Sequence, residues 1–137
     1  MKNKVIGGSI VFYWFVVACL VLSSGCAGNV MKTTEKGLFH VGLGSKGQLL
    51  KEGRNEVEIH ITDEKNMDVE GAKIEITPFM PEHGHGSRWP PTVTEKGKGL
   101  YRAVIPLTMS GHWELKIRIH KGQIEDGTVF DYPNVTG

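Results

Sequence analysis

Apolar and polar residues alternate with period two through most of the chain after residue 55. In NEVEIHIT, residues 55–62, the side chains of Val57, Ile59 and Ile61 fall on one face of an extended chain. AKIEIT (72–77) and HWELKIRIH (112–120) repeat the pattern, and no segment shows a helical stripe. Such alternation is typical of strands with one buried and one solvated face. It therefore predicts antiparallel sheets.

Turn signals recur every eight to twelve residues, between short segments that each fit a strand. The 18 glycines and 6 prolines agree with a chain that turns often. We therefore expect an all-β, immunoglobulin-like antiparallel sandwich of two sheets and six to seven strands. Trp113 is the expected core aromatic, and the absence of a Cys…Trp…Cys pattern excludes an antibody-type domain. Further strands are predicted at 39–43, 91–95 (at an edge, because of its prolines), 101–107 and 128–132.

The first residues have the pattern of an export signal. Lys2 and Lys4 precede an uncharged stretch from Val5 to Gly25, and LSSGC ends at Cys26. The small residues before Cys26 resemble a bacterial lipoprotein box, so residues 1–25 are predicted as the signal peptide and Cys26 as the lipidation site. An uncleaved membrane anchor and a simple cleaved signal are the alternatives. All three place the domain outside the cytoplasm.

The two cysteines, Cys19 and Cys26, both belong to this N-terminal region. The exported part therefore has no thiol for a disulfide, a nucleophile or a metal, and any metal must be bound by His, Met, Asp or Glu. We predict a flexible tether over residues 26–37 and a single domain over 38–137. A net charge of +1 without a basic stripe indicates no nucleic-acid partner.

The stretch from residue 71 to 119 contains four recognisable pieces: the Met80-Pro81 turn, the loop MPEHGHG, the hairpin PTVTEKGKGLY and the turn MSGHWEL. With these pieces the chain resembles the YtkA-like / FixH-like family of small bacterial extracytoplasmic domains. That resemblance implies a β-sandwich associated with copper handling or cytochrome oxidase assembly. Where the family loop frequently has a second methionine, this chain has His83.

Strand direction predicts which side chains of the loop meet. Successive strands of a meander reverse, so the loop 79–90 and the turn 108–112 are expected at the same end of the sandwich. Thioether and imidazole ligands together suit copper, since Met favours Cu(I) and imidazole serves both oxidation states. Zinc through Glu82 and the two loop histidines is an alternative. The predicted metal ligands are Met80, His83, His85, Met109 and His112.

Structural explanations compete with the metal site. Met80 and Met109 continue the alternation on the inward side of their strands. They would then be core residues at the end of the sandwich, while His112 would be a solvated side chain. Trp89, beside two prolines, is expected to cover the open end of the core, with a binding role as the alternative. The polar-phase histidines His40, His60 and His120 form a weaker second metal hypothesis against simple exposure.

No enzyme constellation is present in the sequence, which lacks a nucleophile elbow, a phosphate loop and HExxH, so we expect a non-enzyme. The leading hypothesis is a copper carrier or chaperone, lipid-anchored to a bacterial membrane, the outer one if the cell has two. Its expected partners are the membrane and a metal transporter or oxidase-assembly complex. The alternative is a metal-free interaction module that docks on a membrane complex.

Overall fold

A computed structural model describes residues 30–45 and 49–137 of the chain. Those residues form strands and turns and no helix, and none of them belongs to a helix long and apolar enough to span a bilayer. The signal over residues 1–25 and the lipid site Cys26 lie outside the described residues. The strands are β1 (Val30–Thr33), β2 (Phe39–Gly44), β3 (Gly53–Asp63), β4 (Lys73–Met80), β5 (His85–Gly86), β6 (Thr92–Gly97), β7 (Leu100–Leu107), β8 (Gly111–Lys121) and β9 (Ile124–Val135).

The strands form two antiparallel sheets with the order β1-β2-β3-β7-β6 and β5-β4-β8-β9. Without β1 and β5, these are the two sheets of an immunoglobulin constant-type sandwich, because β2, β3, β7 and β6 take the places of strands A, B, E and D. β4, β8 and β9 take the places of C, F and G. The predicted fold class is confirmed, and β6 is an edge strand as its prolines indicated. The short strands β1 and β5 were not predicted.

The core lies between the sheets and is built from the inward side chains that the alternation predicted. Val57, Ile59 and Ile61 of β3 are buried, and β8 supplies Leu115, Ile117, Ile119 and the fully buried Trp113. Burying a large apolar side chain contributes about 1.5–3 kcal/mol each, so this shared interior is the main force that holds the sheets together. Trp113 is the core aromatic, as expected.

A buried tyrosine fixes the long connection between β3 and β4. The Tyr101 hydroxyl donates a hydrogen bond to the Val69 carbonyl over 2.8 Å and accepts one from the Ala72 N–H over 3.2 Å. Burial raises the pKa of the Tyr101 phenol, which keeps the hydroxyl protonated and able to donate. The connection therefore follows the end of the core closely.

The predicted tether does not extend to Gly37, because residues 30–37 are part of the fold. β1 pairs with β2, and Lys32 reaches inward to donate to the Val129 carbonyl over 2.7 Å, with its ammonium 5.4 Å from the Phe130 ring centre. A lysine at an inward position hides this strand from a hydrophobicity pattern. The hairpin thus joins the edges of both sheets on this side.

Asp126 holds the turn of that hairpin against β9. Its carboxylate accepts backbone hydrogen bonds from Lys36, Leu38 and Gly127 over 2.8–3.2 Å. Burial of the carboxyl opposes its ionisation, but these bonds and one from Thr34 outweigh that effect, so the pKa of Asp126 is lowered. The ionised form is therefore part of the folded structure.

We predict that Asp126→Ala destabilises the domain by about 3 kcal/mol, because three backbone donors lose their acceptor. Asp126→Asn, which keeps one acceptor oxygen, is the matched control and should cost less. The lowered pKa gives stability that is present above about pH 4 and lost as the pH falls through the folded-state pKa. Urea unfolding at neutral and acid pH measures both effects. An equal difference in unfolding free energy between the unchanged chain and Asp126→Ala at the two pH values would contradict this role of Asp126.

Candidate functional site

The five predicted ligands lie at one end of the sandwich, as strand parity required. β4 and β7 both run toward this end, which we call the loop end, and β8 starts there. The loop end comprises the hairpin of residues 80–86 and the turn of residues 108–110 that joins β7 to β8. What differs among the five side chains is their exposure and their partners.

The hairpin turns tightly between Met80 and His85, which pair as neighbours of β4 and β5. The N–H groups of His83 and Gly84 both donate to the Met80 carbonyl, over 3.3 and 2.9 Å. Gly84 has a φ of 68°, a left-handed conformation that glycine adopts without strain. The glycine between the two histidines therefore allows the bend that the sequence suggested.

The bend places the rings of His83 and His85 side by side on the surface. Their centroids are 5.7 Å apart with an interplanar angle of 30°, and both residues are exposed. The Nδ1 atom of His85 lies 3.2 Å from the Gly86 carbonyl oxygen. Because a carbonyl can only accept, Nδ1 carries the hydrogen and the lone pair of His85 is at Nε2. Nε2 is thus the atom able to bind a metal.

Met109 shares a surface cavity with His85. The two residues line one depression together with Gly86, Arg88, Trp89 and Thr108. Met109 is 38% exposed, so it is not the core residue that its phase allowed. Its backbone is fixed from below, because the indole N–H of Trp113 donates to the Met109 carbonyl over 3.0 Å. A thioether and an imidazole thus face the same solvent-accessible space.

Met80 is fully buried, in agreement with its inward phase. Its Cε lies 3.0 Å from the point where a Cβ on Gly111 would stand, so the side chain fills the space beneath the start of β8. Binding of a metal by its sulfur would require the hairpin to open. In this structure Met80 supports the loop end from inside and is not an available ligand.

His112 is paired with a carboxylate that the sequence analysis did not single out. Its Nε2 lies 2.5 Å from Oδ1 of Asp131 on β9, the neighbouring strand. This hydrogen bond, the charge of Asp131 and that of Glu82 raise the pKa of His112 against a smaller effect of burial. A proton held in this way competes with a metal for the imidazole, so His112 is the least available of the loop-end histidines.

Trp89 does not cover the core, which corrects the expectation from its position beside two prolines. Its side chain is 61% exposed and stands between two depressions, one with His85 and Met109 and one with Pro90 and Pro106. The end of the core is closed instead by Met80 and Trp113. Trp89 lies outside the strands, where no alternation indicates which way a side chain points.

The three strand histidines do not come together. His40 and His60 lie on the outer face of the five-stranded sheet, while His120 lies on the other sheet between Glu75 and Glu125, 3.7 and 3.5 Å away. The alternation correctly predicted that these histidines lie on outer faces, but it could not predict which sheet each strand joins. The three-histidine site is therefore excluded in this fold.

Across residues 30–45 and 49–137, no group of three His, Cys, Asp or Glu side chains is arranged to hold a metal ion. The zinc alternative through Glu82, His83 and His85 is therefore not supported by this arrangement.

A family model described as YtkA-like matches residues 38–118, more than half of the chain and the range that contains all five predicted ligands. The chain belongs to the YtkA-like family. No curated protein matches it significantly. A solved structure with the same fold is the crystal structure of a DUF4426 family protein from Pseudomonas aeruginosa PAO1, with a TM-score of 0.50 and 12% identity over 76% of this chain and 97% of that one. At this identity the similarity concerns the fold alone.

We predict that the His112–Asp131 pair makes the stability of this YtkA-like domain depend on pH. Because the folded-state pKa of His112 is raised, the pair stabilises the fold fully below about pH 6.5 and less as the pH rises through the folded-state pKa. The free energy of unfolding of the unchanged chain should exceed that of Asp131→Asn more at about pH 5.5 than at about pH 9. A His112→Gln chain, in which Asp131→Asn then has a pH-independent effect, is the control.

Proposed function

We propose that this YtkA-like protein is an extracytoplasmic copper-binding carrier or chaperone, anchored by a lipid on Cys26 to a bacterial membrane, the outer one if the cell has two. The observation that carries the proposal is the common cavity of His85 and Met109, with the ring of His83 stacked beside it. These three side chains are the proposed donors. Met80 supports them from inside, and His112 is held by Asp131.

The chemistry of the three donors favours copper. Thioether sulfur is a soft ligand that selects Cu(I), and imidazole binds both Cu(I) and Cu(II). Each donor is exposed, so an acceptor's ligands can approach the ion before the carrier's ligands leave it. Few, accessible donors on a fixed backbone suit transfer by ligand exchange better than permanent storage. We propose a membrane metal transporter or an oxidase-assembly complex as the acceptor.

The proposal is tested by removing both loop imidazoles. We expect His83→Ala/His85→Ala to weaken Cu(I) binding at the loop end by at least about a hundredfold, which corresponds to about 2.8 kcal/mol. The measurement is competition with a Cu(I) chelator, using the full chain in detergent with Cys19→Ser/Cys26→Ser so that thiols do not bind the ion. The Cε methyl signal of Met109 should shift with Cu(I) in the unchanged loop and not in the double variant.

His120→Ala is the matched control, because it removes a partly buried imidazole from the outer face of the same sheet as the hairpin, far from the loop end. Copper(II) binding provides a second check, since protons compete with a metal for the imidazole nitrogens and Cu(II) affinity should therefore fall as the pH is lowered. An affinity read from the Met109 methyl signal that is unchanged in the double variant, or no binding tighter than micromolar in either oxidation state, would refute the carrier function.

The exposure of Trp89 favours a second candidate function, in which the loop end docks on a membrane complex without metal. An exposed tryptophan flanked by depressions has the apolar body and polar N–H that are common at interfaces. We expect Trp89→Ala to weaken recovery of a membrane partner cross-linked to the full chain, and Trp89→Phe to retain most of it. Equal recovery from both variants under metal-free conditions would exclude docking through Trp89.

A further inference from the structure

Three side chains with soft or borderline donor atoms surround Gly42 on the outer face of the five-stranded sheet. Met31 of β1 is the cross-strand partner of Gly42 on one side, and His60 of β3 is its partner on the other. His40 lies two residues before Gly42 on β2, about 6.6 Å along the strand and on the same face. This group, the Gly42 cluster, lies in the sheet opposite to the one that carries the hairpin.

The thioether of Met31 occupies the place that a side chain at Gly42 would take. Its Sδ is 2.7 Å, and the Cβ of His60 is 3.7 Å, from the point where a Cβ on Gly42 would stand. The sulfur therefore lies over the bare backbone beside His60. Met31 is 58% exposed, so its sulfur is held in this depression while it remains open to solvent.

Each imidazole of the cluster has one nitrogen in a hydrogen bond and one without such a bond to the described residues, which leaves one nitrogen of each for a ligand. Nε2 of His60 lies 2.8 Å from Oδ1 of Asp68, and since a carboxylate only accepts, Nε2 carries the hydrogen and Nδ1 has the lone pair. Nδ1 of His40 lies 3.1 Å from the hydroxyl of Thr33, which allows the lone pair to be at Nε2. A carboxylate on the second nitrogen of a histidine is the usual arrangement around metal-bound imidazole.

We propose that the Gly42 cluster is a second, separate binding site for a soft monovalent cation, Cu(I), with Met31, His60 and His40 as its ligands. One thioether and two imidazoles match the preference of Cu(I) for soft and borderline donors, and no carboxylate oxygen is among the proposed ligands. Asp68 is a positioning residue that holds the tautomer of His60. The site uses none of the loop-end donors and does not depend on the function proposed for them.

The test uses Ag(I), a redox-stable probe for Cu(I) sites, and the methyl signals of Cε-labelled methionines. The protein is the full chain in detergent with Cys19→Ser/Cys26→Ser and, to silence the loop end, His83→Ala/His85→Ala/Met109→Leu. We expect the methyl signal that disappears in Met31→Leu to shift and to saturate at one equivalent of Ag(I). Met67→Leu, which removes another exposed thioether, should leave that response unchanged.

Gly42→Ala tests the geometry without removing a donor. Gly42 has no positive φ, so alanine fits its backbone, but the added Cβ would stand 2.7 Å from the sulfur and displace it. We expect this variant, and likewise His60→Ala, to lower Ag(I) affinity at least about tenfold. Amide spectra report whether each variant is folded. Asp68→Asn is a milder substitution that alters only the hydrogen-bond partner of the His60 imidazole.

An unshifted Met31 signal at several equivalents of Ag(I), or affinity that survives Met31→Leu and Gly42→Ala, would overturn the site. The reciprocal background, Met31→Leu/His60→Ala with the loop end intact, reports on the loop end alone. Loss of binding in one background and not in the other therefore separates failure of this site from failure of the proposed function.

Discussion

The packing of Trp113 between the two sheets is the constraint on which the loop end depends. Its side chain is fully buried, and its indole N–H donates a hydrogen bond to the Met109 carbonyl. Met80 fills the neighbouring space beneath Gly111. The exposed donors of the loop end therefore stand on backbone that buried side chains hold in place. Sites supported in this way keep their geometry without a ligand, so little ordering entropy opposes binding.

A second tie between the sheets has a comparable consequence for the Gly42 cluster. β1 is held by its ladder with β2, by Lys32 across the open side of the sandwich, and by the Asp126 carboxylate that accepts from the following turn. That attachment sets the register Met31↔Gly42 and so places the thioether over the glycine. A charged side chain and a buried carboxylate thus position an apolar sulfur on the opposite face of the same short strand.

Much of this fold could be predicted from residue phase, because alternation reports directly which face of a strand is buried. It placed Val57 and Trp113 inside and His60 outside correctly, and it allowed the burial of Met80. Phase does not report which sheet a strand joins, and for that reason His120 was grouped with histidines of the other sheet. The alternation gives no information outside strands, and for that reason the position of Trp89 was predicted wrongly.

The partners of the site residues were harder to predict than their positions. His112 and Asp131 are separated by 19 residues and meet across the paired strands β8 and β9, beside a register shift between Gly111 and Trp113. Nothing in the local sequence of either strand specifies that irregularity. β1 was missed for a different reason, since four residues with a lysine at the inward position give no hydrophobic signal.

With the lipid that we propose on Cys26, the early start of β1 limits how far the domain can stand from the membrane. Three residues separate Cys26 from Val30, a chain length of at most about 14 Å. Val30 pairs with Leu43, which is in register with Ile59 and through it with Tyr101, so β1 begins near the end of the sandwich opposite to the loop end. Tyr101 lies six residues, about 20 Å, before the loop-end residue Leu107 of β7, so this chain length is too short to bring Cys26 to the exposed His85 and Met109.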